Sequence, residues 1–187
     1  MGQKIILESP RLYLSTADRR MAADILKFHQ RNEAHLRPWE AEKGEDFYTL
    51  SYHRFLVKYE QRQLKNLAGV DFWLMEKQKG QIMGKVSVFG IIGGNFSSCM
   101  AGYKLDQDYV GQGYMTEALG RVEQFLFEDM NLHRIEVNIL PRNARSIAVV
   151  KRLGYTLECE SKQSIQVDGR WEDHLRYVKL NDHWKES

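Results

Sequence analysis

Two glycines one residue apart, Gly111 and Gly113, stand directly ahead of a run with helical periodicity. That arrangement makes an anion site, because the N–H groups left free by a first helical turn converge there with the positive end of the helix dipole. Glycine lets the main chain come close to anionic oxygens, and Val110 and Gln112 complete the loop. Tyr114, Met115 and Thr116 add further amide donors. The expected anion is a pyrophosphate.

Other glycine-loop chemistries do not fit. A nucleotide-binding Walker loop ends in Gly-Lys-Ser or Gly-Lys-Thr, which is absent. A dinucleotide fingerprint needs glycine where Thr116 stands and usually occupies the first strand-to-helix turn, whereas this loop follows the fourth strand. A kinase needs a His-Arg-Asp catalytic loop, also absent. The histidines His29, His35, His53, His133, His174 and His183 show no ligand spacing, so no metal is expected. Cys99 and Cys159 have no pairing motif and read as free thiols of a reducing compartment. Cys99 could carry an acyl group, but a strand cysteine is more often simply buried.

The elements that position this loop follow from periodicity. Arg11 to Ser15 alternates as a strand, Asp18 caps a helix reaching about His29, and proline forces the link Arg37-Pro38-Trp39-Glu40 into an extended or turn shape. A second helix spans Phe47 to Leu67. Val70 to Glu76 and Gln81 to Phe89 read as a hairpin through the polar turn at Lys77 to Gly80, and Cys99 to Leu105 is the fourth strand. A helix from about Tyr114 to Met130 buries Ala118, Leu119, Val122, Phe125 and Leu126. Arg134 to Ile139 is a strand, Asn143 caps a helix ending at Gly154, and a last hairpin from Tyr155 turns at Asp168-Gly169. This order predicts an α/β (α+β) fold with a mixed sheet of about seven strands and helices on both faces.

At 187 residues the chain fits one domain over 1–187, and a formal charge of +2 is too near neutral for a continuous nucleic-acid-binding face. The stretch Met1 to Pro10 has neither the apolar core of a signal peptide nor a myristoylation pattern, and the apolar run Val86 to Ile92 is too short to span a bilayer. A cytoplasmic location is expected.

The run from Tyr103 to Leu105 and on through Asp108 to Leu119 resembles the acetyl-CoA signature of the GNAT superfamily, in its RimJ/RimL branch. Asn143 to Ser146, followed by Lys151-Arg152-Leu153-Gly154-Tyr155, is similar to the branch's second cofactor block. Leu36 to Glu40 and Asp168 to His174 resemble the RimJ type in particular. Val110 and Met115 depart from the broad pattern, which has a basic or glutamine residue and a small one there. Val150 stands where many members have a tyrosine that protonates the leaving thiolate.

The resemblance implies a GNAT fold with a largely antiparallel sheet, splayed between its fourth and fifth strands, and acetyl-CoA as acyl donor. Transfer from a thioester to an amine needs a neutral amine, a polarised carbonyl and a proton for the thiolate. A backbone N–H at or beside Leu105 is expected to polarise the carbonyl. Ser146, or a water it holds, can donate the thiolate's proton, or Ser146 can simply help cap its helix. Asn143 serves the cofactor, the helix cap, or both. Glu40 is the candidate base or else a solvated carboxylate, and Trp39 either walls the acetyl pocket or fills core; Tyr103 joins them as an acceptor-side residue. An α-amine, with a pKa of about 8 against about 10.4 for lysine, needs little help to lose its proton. The implied acceptor is the N-terminus of a ribosomal protein beginning with alanine or serine, with ribosome association in view. A small amine such as an antibiotic or polyamine is the alternative acceptor, and a non-catalytic acyl-CoA sensor or ribosome-assembly factor the alternative role.

Overall fold

The computed structural model describes residues 4–185; Met1 to Gln3, the first part of the N-terminal stretch read above, lie outside it. One eight-stranded sheet runs in the order β1-β2-β3-β4-β5-β6-β8-β7. Its strands are β1 (Ile6–Glu8), β2 (Leu12–Ser15), β3 (Gly69–Glu76), β4 (Ile82–Ile92), β5 (Ser98–Leu105), β6 (Arg134–Ile139), β7 (Thr156–Val167) and β8 (Arg170–Leu180). The expected seven strands are all present. The eighth, β1, is a three-residue edge strand too short to leave a periodic trace.

Five α-helices cover the sheet: α1 (Ala22–Arg31), α2 (Glu33–Leu36), α3 (Leu50–Lys65), α4 (Tyr114–Gln124) and α5 (Ala144–Arg152). Alternation along β3 feeds both layers. Phe72 and Leu74 join the core under α4 with Leu119 and Val122, while Trp73 packs with Ile25, Phe28 and Val57 of α1 and α3. The helix expected from Phe47 begins at Leu50, where the Thr49 hydroxyl caps it, and a single 3-10 turn precedes it over Glu45–Tyr48. Of the two shapes open to the link, Arg37–Trp39 takes the turn, a single 3-10 turn with proline early in it where its missing N–H costs nothing. The run expected as one helix to Met130 changes to a π turn over Phe125–Asp129.

All neighbouring strands pair antiparallel except β5 and β6, which are parallel. That pair is joined only at Ser98 with Arg134, Cys99 with Ile135 and Met100 with Glu136. Beyond Met100 the two strands part, which is the expected splay. Among the described residues, no helix is long and apolar enough to cross a membrane.

Candidate active site

The splay opens into a cleft of about 310 Å³ on the C-terminal side of β5. Hydrogen-bond alternation fixes what β5 presents to it. The Asp106 N–H donates to the Met83 carbonyl at 2.8 Å, so Asp106 and its every-second neighbours pair with β4. Leu105 and Tyr103, one residue out of phase, therefore direct their backbone groups away from β4 and toward the gap. At the expected carbonyl-polarising position, a main-chain N–H thus points into the opening.

One wall of the cleft is the glycine loop. Gly111 and Gly113 adopt φ of +82° and +79°, the left-handed region that side chains resist. Gly113 is the N-cap of α4 and provides no capping side chain, so the amides of Tyr114, Met115 and Thr116 begin the helix with none to receive them. Val110 lines the same wall, whereas the Gln112 side chain turns back to donate to the Asp108 carbonyl at 2.9 Å.

The opposite wall is the start of α5. The Asn143 carboxamide accepts from the Ser146 N–H at 3.1 Å, so Asn143 is the cap and the Ser146 hydroxyl is not needed for capping. Among the described residues that hydroxyl has no hydrogen-bond partner in the protein, while the Tyr103 hydroxyl donates to the Ser146 carbonyl at 3.0 Å. Burial pushes the Tyr103 phenol up, so it stays protonated. Val150 is fully buried in the core and has no proton to give.

The cleft's far end is the link after α2. Trp39 lines it and is 37% exposed, so this indole is a wall and not core filling. The link is tied to the last hairpin: the Asp168 N–H donates to the Glu40 carbonyl at 2.9 Å, and Arg37 pairs with Asp168 at 3.1 Å. Glu40 itself is no solvated carboxylate. Its side chain is 16% exposed and pairs with Lys104 and, at 3.5 Å, with Lys43. Burial alone would push this carboxyl up, but the two ammonium groups outweigh it and hold the carboxyl below its ordinary value. Behind Glu40 lies a second cavity of about 250 Å³, bordered by Glu33, Glu42, Tyr48 and the His29 ring; Leu36 and Glu40 line both. Burial holds His29 neutral at physiological pH.

Cys99 is buried with its thiol pushed up to about 12 by desolvation, which removes it as a nucleophile. Cys159 is exposed and also free.

The structure brings together every expected site residue except the Gln112 side chain, and adds several that local sequence could not reveal. Lys104 enters through its pairing with Glu40, 64 positions away. Arg145 and Arg152 of α5 line the cleft and provide cationic groups for an anionic ligand. Arg11, immediately before β2, latches the glycine loop from outside. Its guanidinium bonds Glu117 at 2.6 Å and the Gln112 carbonyl at 3.0 Å, and lies 4.0 Å over the Tyr114 ring. Arg11→Ala should raise the KM for acetyl-CoA about fivefold with kcat nearly unchanged, since a loosened loop weakens ground-state and transition-state binding alike. Arg11→Lys, which keeps the charge but loses the fork, should recover little of it; steady-state kinetics at varied donor concentration decides.

The Acetyltransferase (GNAT) domain family matches residues 11–156, which takes in the loop, the splay and α5. The chain belongs to the GNAT acetyltransferase family. The ribosomal-protein-S5-alanine acetyltransferase of Vibrio fischeri superposes with a TM-score of 0.92 at 31% identity, covering 97% of this chain and 100% of that one. In Bacillus subtilis the probable N-acetyltransferase YjcK is 28% identical over 94% of this chain and 97% of its own length. The Escherichia coli [ribosomal protein uS5]-alanine N-acetyltransferase is 27% identical over 97% and 93%. Solved proteins of the same fold hold coenzyme A or acetyl-CoA. This GNAT chain is accordingly an N-acetyltransferase. The cleft has the features a coenzyme A thioester requires: a loop of helix-opening amides for the pyrophosphate, and a gap edged by strand amides for the pantetheine arm.

Proposed function

We propose that this acetyltransferase modifies the N-terminal α-amine of a ribosomal protein whose first residue is alanine or serine. The observation that carries this reading is the second cavity, which meets the donor cleft at Glu40 and is edged by Glu33 and Glu42. Arg37 and Lys43 also border this cavity but are engaged by Asp168 and Glu40, which leaves Glu33 and Glu42 to suit a terminal ammonium followed by a small side chain. The relatives named for uS5 or S5 alanine acetylation cover nearly the whole chain, including the Leu36 to Glu40 link and the Asp168 turn that build this mouth.

In this reading Leu105 offers its N–H to the thioester carbonyl, and Gly111 to Thr116 with Val110 and Gln112 hold the pyrophosphate. Asn143 orients the start of α5, and Ser146 returns a proton to the thiolate. Trp39 and Tyr103 wall the reacting centre. Glu40 draws in the acceptor's ammonium and relays its proton toward solvent. The α-amine's pKa of about 8 leaves enough neutral amine near pH 7 for that relay to suffice. The work is done in the cytoplasm, where ribosomal proteins are made.

A panel of peptides beginning with Ala, Ser, Met, Leu or Lys, set against polyamines and aminoglycosides, tests the acceptor. With coenzyme A release as the readout, kcat/KM for Ala and Ser peptides should exceed that for large first residues by about tenfold or more. A preference for small amines would overturn the ribosomal assignment while leaving the acetyltransferase chemistry intact.

A further inference from the structure

Lys104 is a primary amine built into a site for primary amines. It follows Tyr103 and precedes Leu105 on β5, and strand alternation places its side chain on the sheet face opposite theirs. That face belongs to α1 and α3, the side from which the second cavity opens. The side chain is 21% exposed, borders the donor cleft, and ends on Glu40, the carboxylate common to both cavities. A tethered ammonium thus already occupies the carboxylate that the acceptor's ammonium would seek.

We propose that Lys104 is a self-acetylation site, taking the acetyl group from bound acetyl-CoA when no acceptor fills the second cavity. The inference rests on the placement of the thioester carbonyl at Leu105, one residue away. Burial, with Lys43 and Lys85 adding like charge, lowers the pKa of the Lys104 amine against the opposing pull of Glu40. A larger fraction of it is therefore neutral than of an exposed lysine. In the reaction Nζ attacks the carbonyl carbon, the N–C bond forms and the C–S bond breaks. Of the two protons that Nζ gives up, one passes by Glu40 to solvent and the other ends on the departing sulfur. The products are an Nζ-acetyl amide and coenzyme A. The modification abolishes the Lys104–Glu40 ion pair and leaves Glu40 with Lys43 alone facing the acceptor cavity. Self-acetylation would therefore retune the attraction for incoming ammonium groups.

The test is incubation of the folded protein with acetyl-CoA and no acceptor, followed by intact-mass measurement and peptide mapping. Lys104 should gain an acetyl group at least about tenfold faster than Lys27, an exposed lysine on α1, because its attack is intramolecular in the bound complex. Excess coenzyme A and an N-terminal acceptor peptide should each suppress labelling at Lys104 but not at Lys27. Heat-unfolded protein should label both alike. Labelling of Lys104 no faster than Lys27, or labelling untouched by coenzyme A, overturns the proposal. Acetylation of the peptide in the same preparation separates the two failures: a modified peptide with unmodified Lys104 sinks self-acetylation and leaves the acceptor reading standing. If neither is modified, both fall. Lys104→Arg removes the mapped product and checks the assignment.

Discussion

Replacing Ser146 with alanine is expected to lower kcat about 100-fold while leaving the KM for acetyl-CoA within about twofold, as loss of a positioned proton donor should. The thiolate must recover a proton as it leaves, and the tyrosine position that many relatives use is the buried Val150. Ser146 sits one turn into α5 with a hydroxyl that serves no cap, because Asn143 performs that function, and no other protein partner among the described residues. Its neighbour Tyr103 also keeps its proton, but that hydroxyl is engaged with the Ser146 carbonyl at 3.0 Å. Tyr103→Phe should therefore cost much less than Ser146→Ala. Stopped-time assays of thiol release with an Ala-initiated peptide supply the numbers. An unchanged kcat in a Ser146→Ala protein that still binds coenzyme A would remove the serine from the chemistry and assign the proton to water.

The second large effect concerns folding. Lys85, on β4, places its ammonium between Glu60 of α3 at 2.7 Å and Asp71 of β3 at 2.9 Å, and 5.0 Å over the Trp73 ring. Glu60 also accepts from the Trp73 indole at 3.0 Å. Burial works against the Lys85 charge, but Asp71 and Glu60 overcome it and keep the ammonium above its ordinary pKa. Lys85→Met keeps most of the aliphatic stem and removes the charge, leaving two carboxylates in a site where Glu60 is 4% exposed. The expected loss is about 3–5 kcal/mol of unfolding free energy, read from urea melts at pH 7. Glu60→Gln should cost less, because Lys85 retains Asp71 and the amide can still accept from Trp73. Equal losses for the two variants would show that the charge balance is not what matters. No part of this cluster touches the donor cleft, so whatever Lys85→Met protein stays folded should bind coenzyme A as the parent does.

Much of this was legible in the chain because it is local. Gly111, Gly113 and the helix that follows lie within one short segment, and their meaning comes from backbone geometry that any glycine pair before a helix imposes. Asn143 and Thr49 cap their helices through the same hydrogen bond, although the apolar periodicity runs back past Thr49 to Phe47 and masks that cap. Asp168 and Gly169 take φ of +43° and +77°, as a tight hairpin turn requires. What escaped was set by partners distant in sequence. Lys104 sits in a strand with nothing nearby to mark it, and only Glu40 gives it a role. Arg11 reads as the polar start of a strand until Glu117, 106 positions on, is brought beside it. The same limit applies to Glu40, whose neighbours in sequence suggest an exposed loop and whose neighbours in space are two lysines.

The three-residue seam between β5 and β6 has a mechanical meaning. The sheet is two plates, five strands and three, stitched along one short edge, and the gap between them is bordered by main-chain donors and acceptors that lack a strand to complete them. A pantetheine arm carries amides of its own and can run along that edge as a surrogate strand. Seating the donor and clamping the plates together are then the same event.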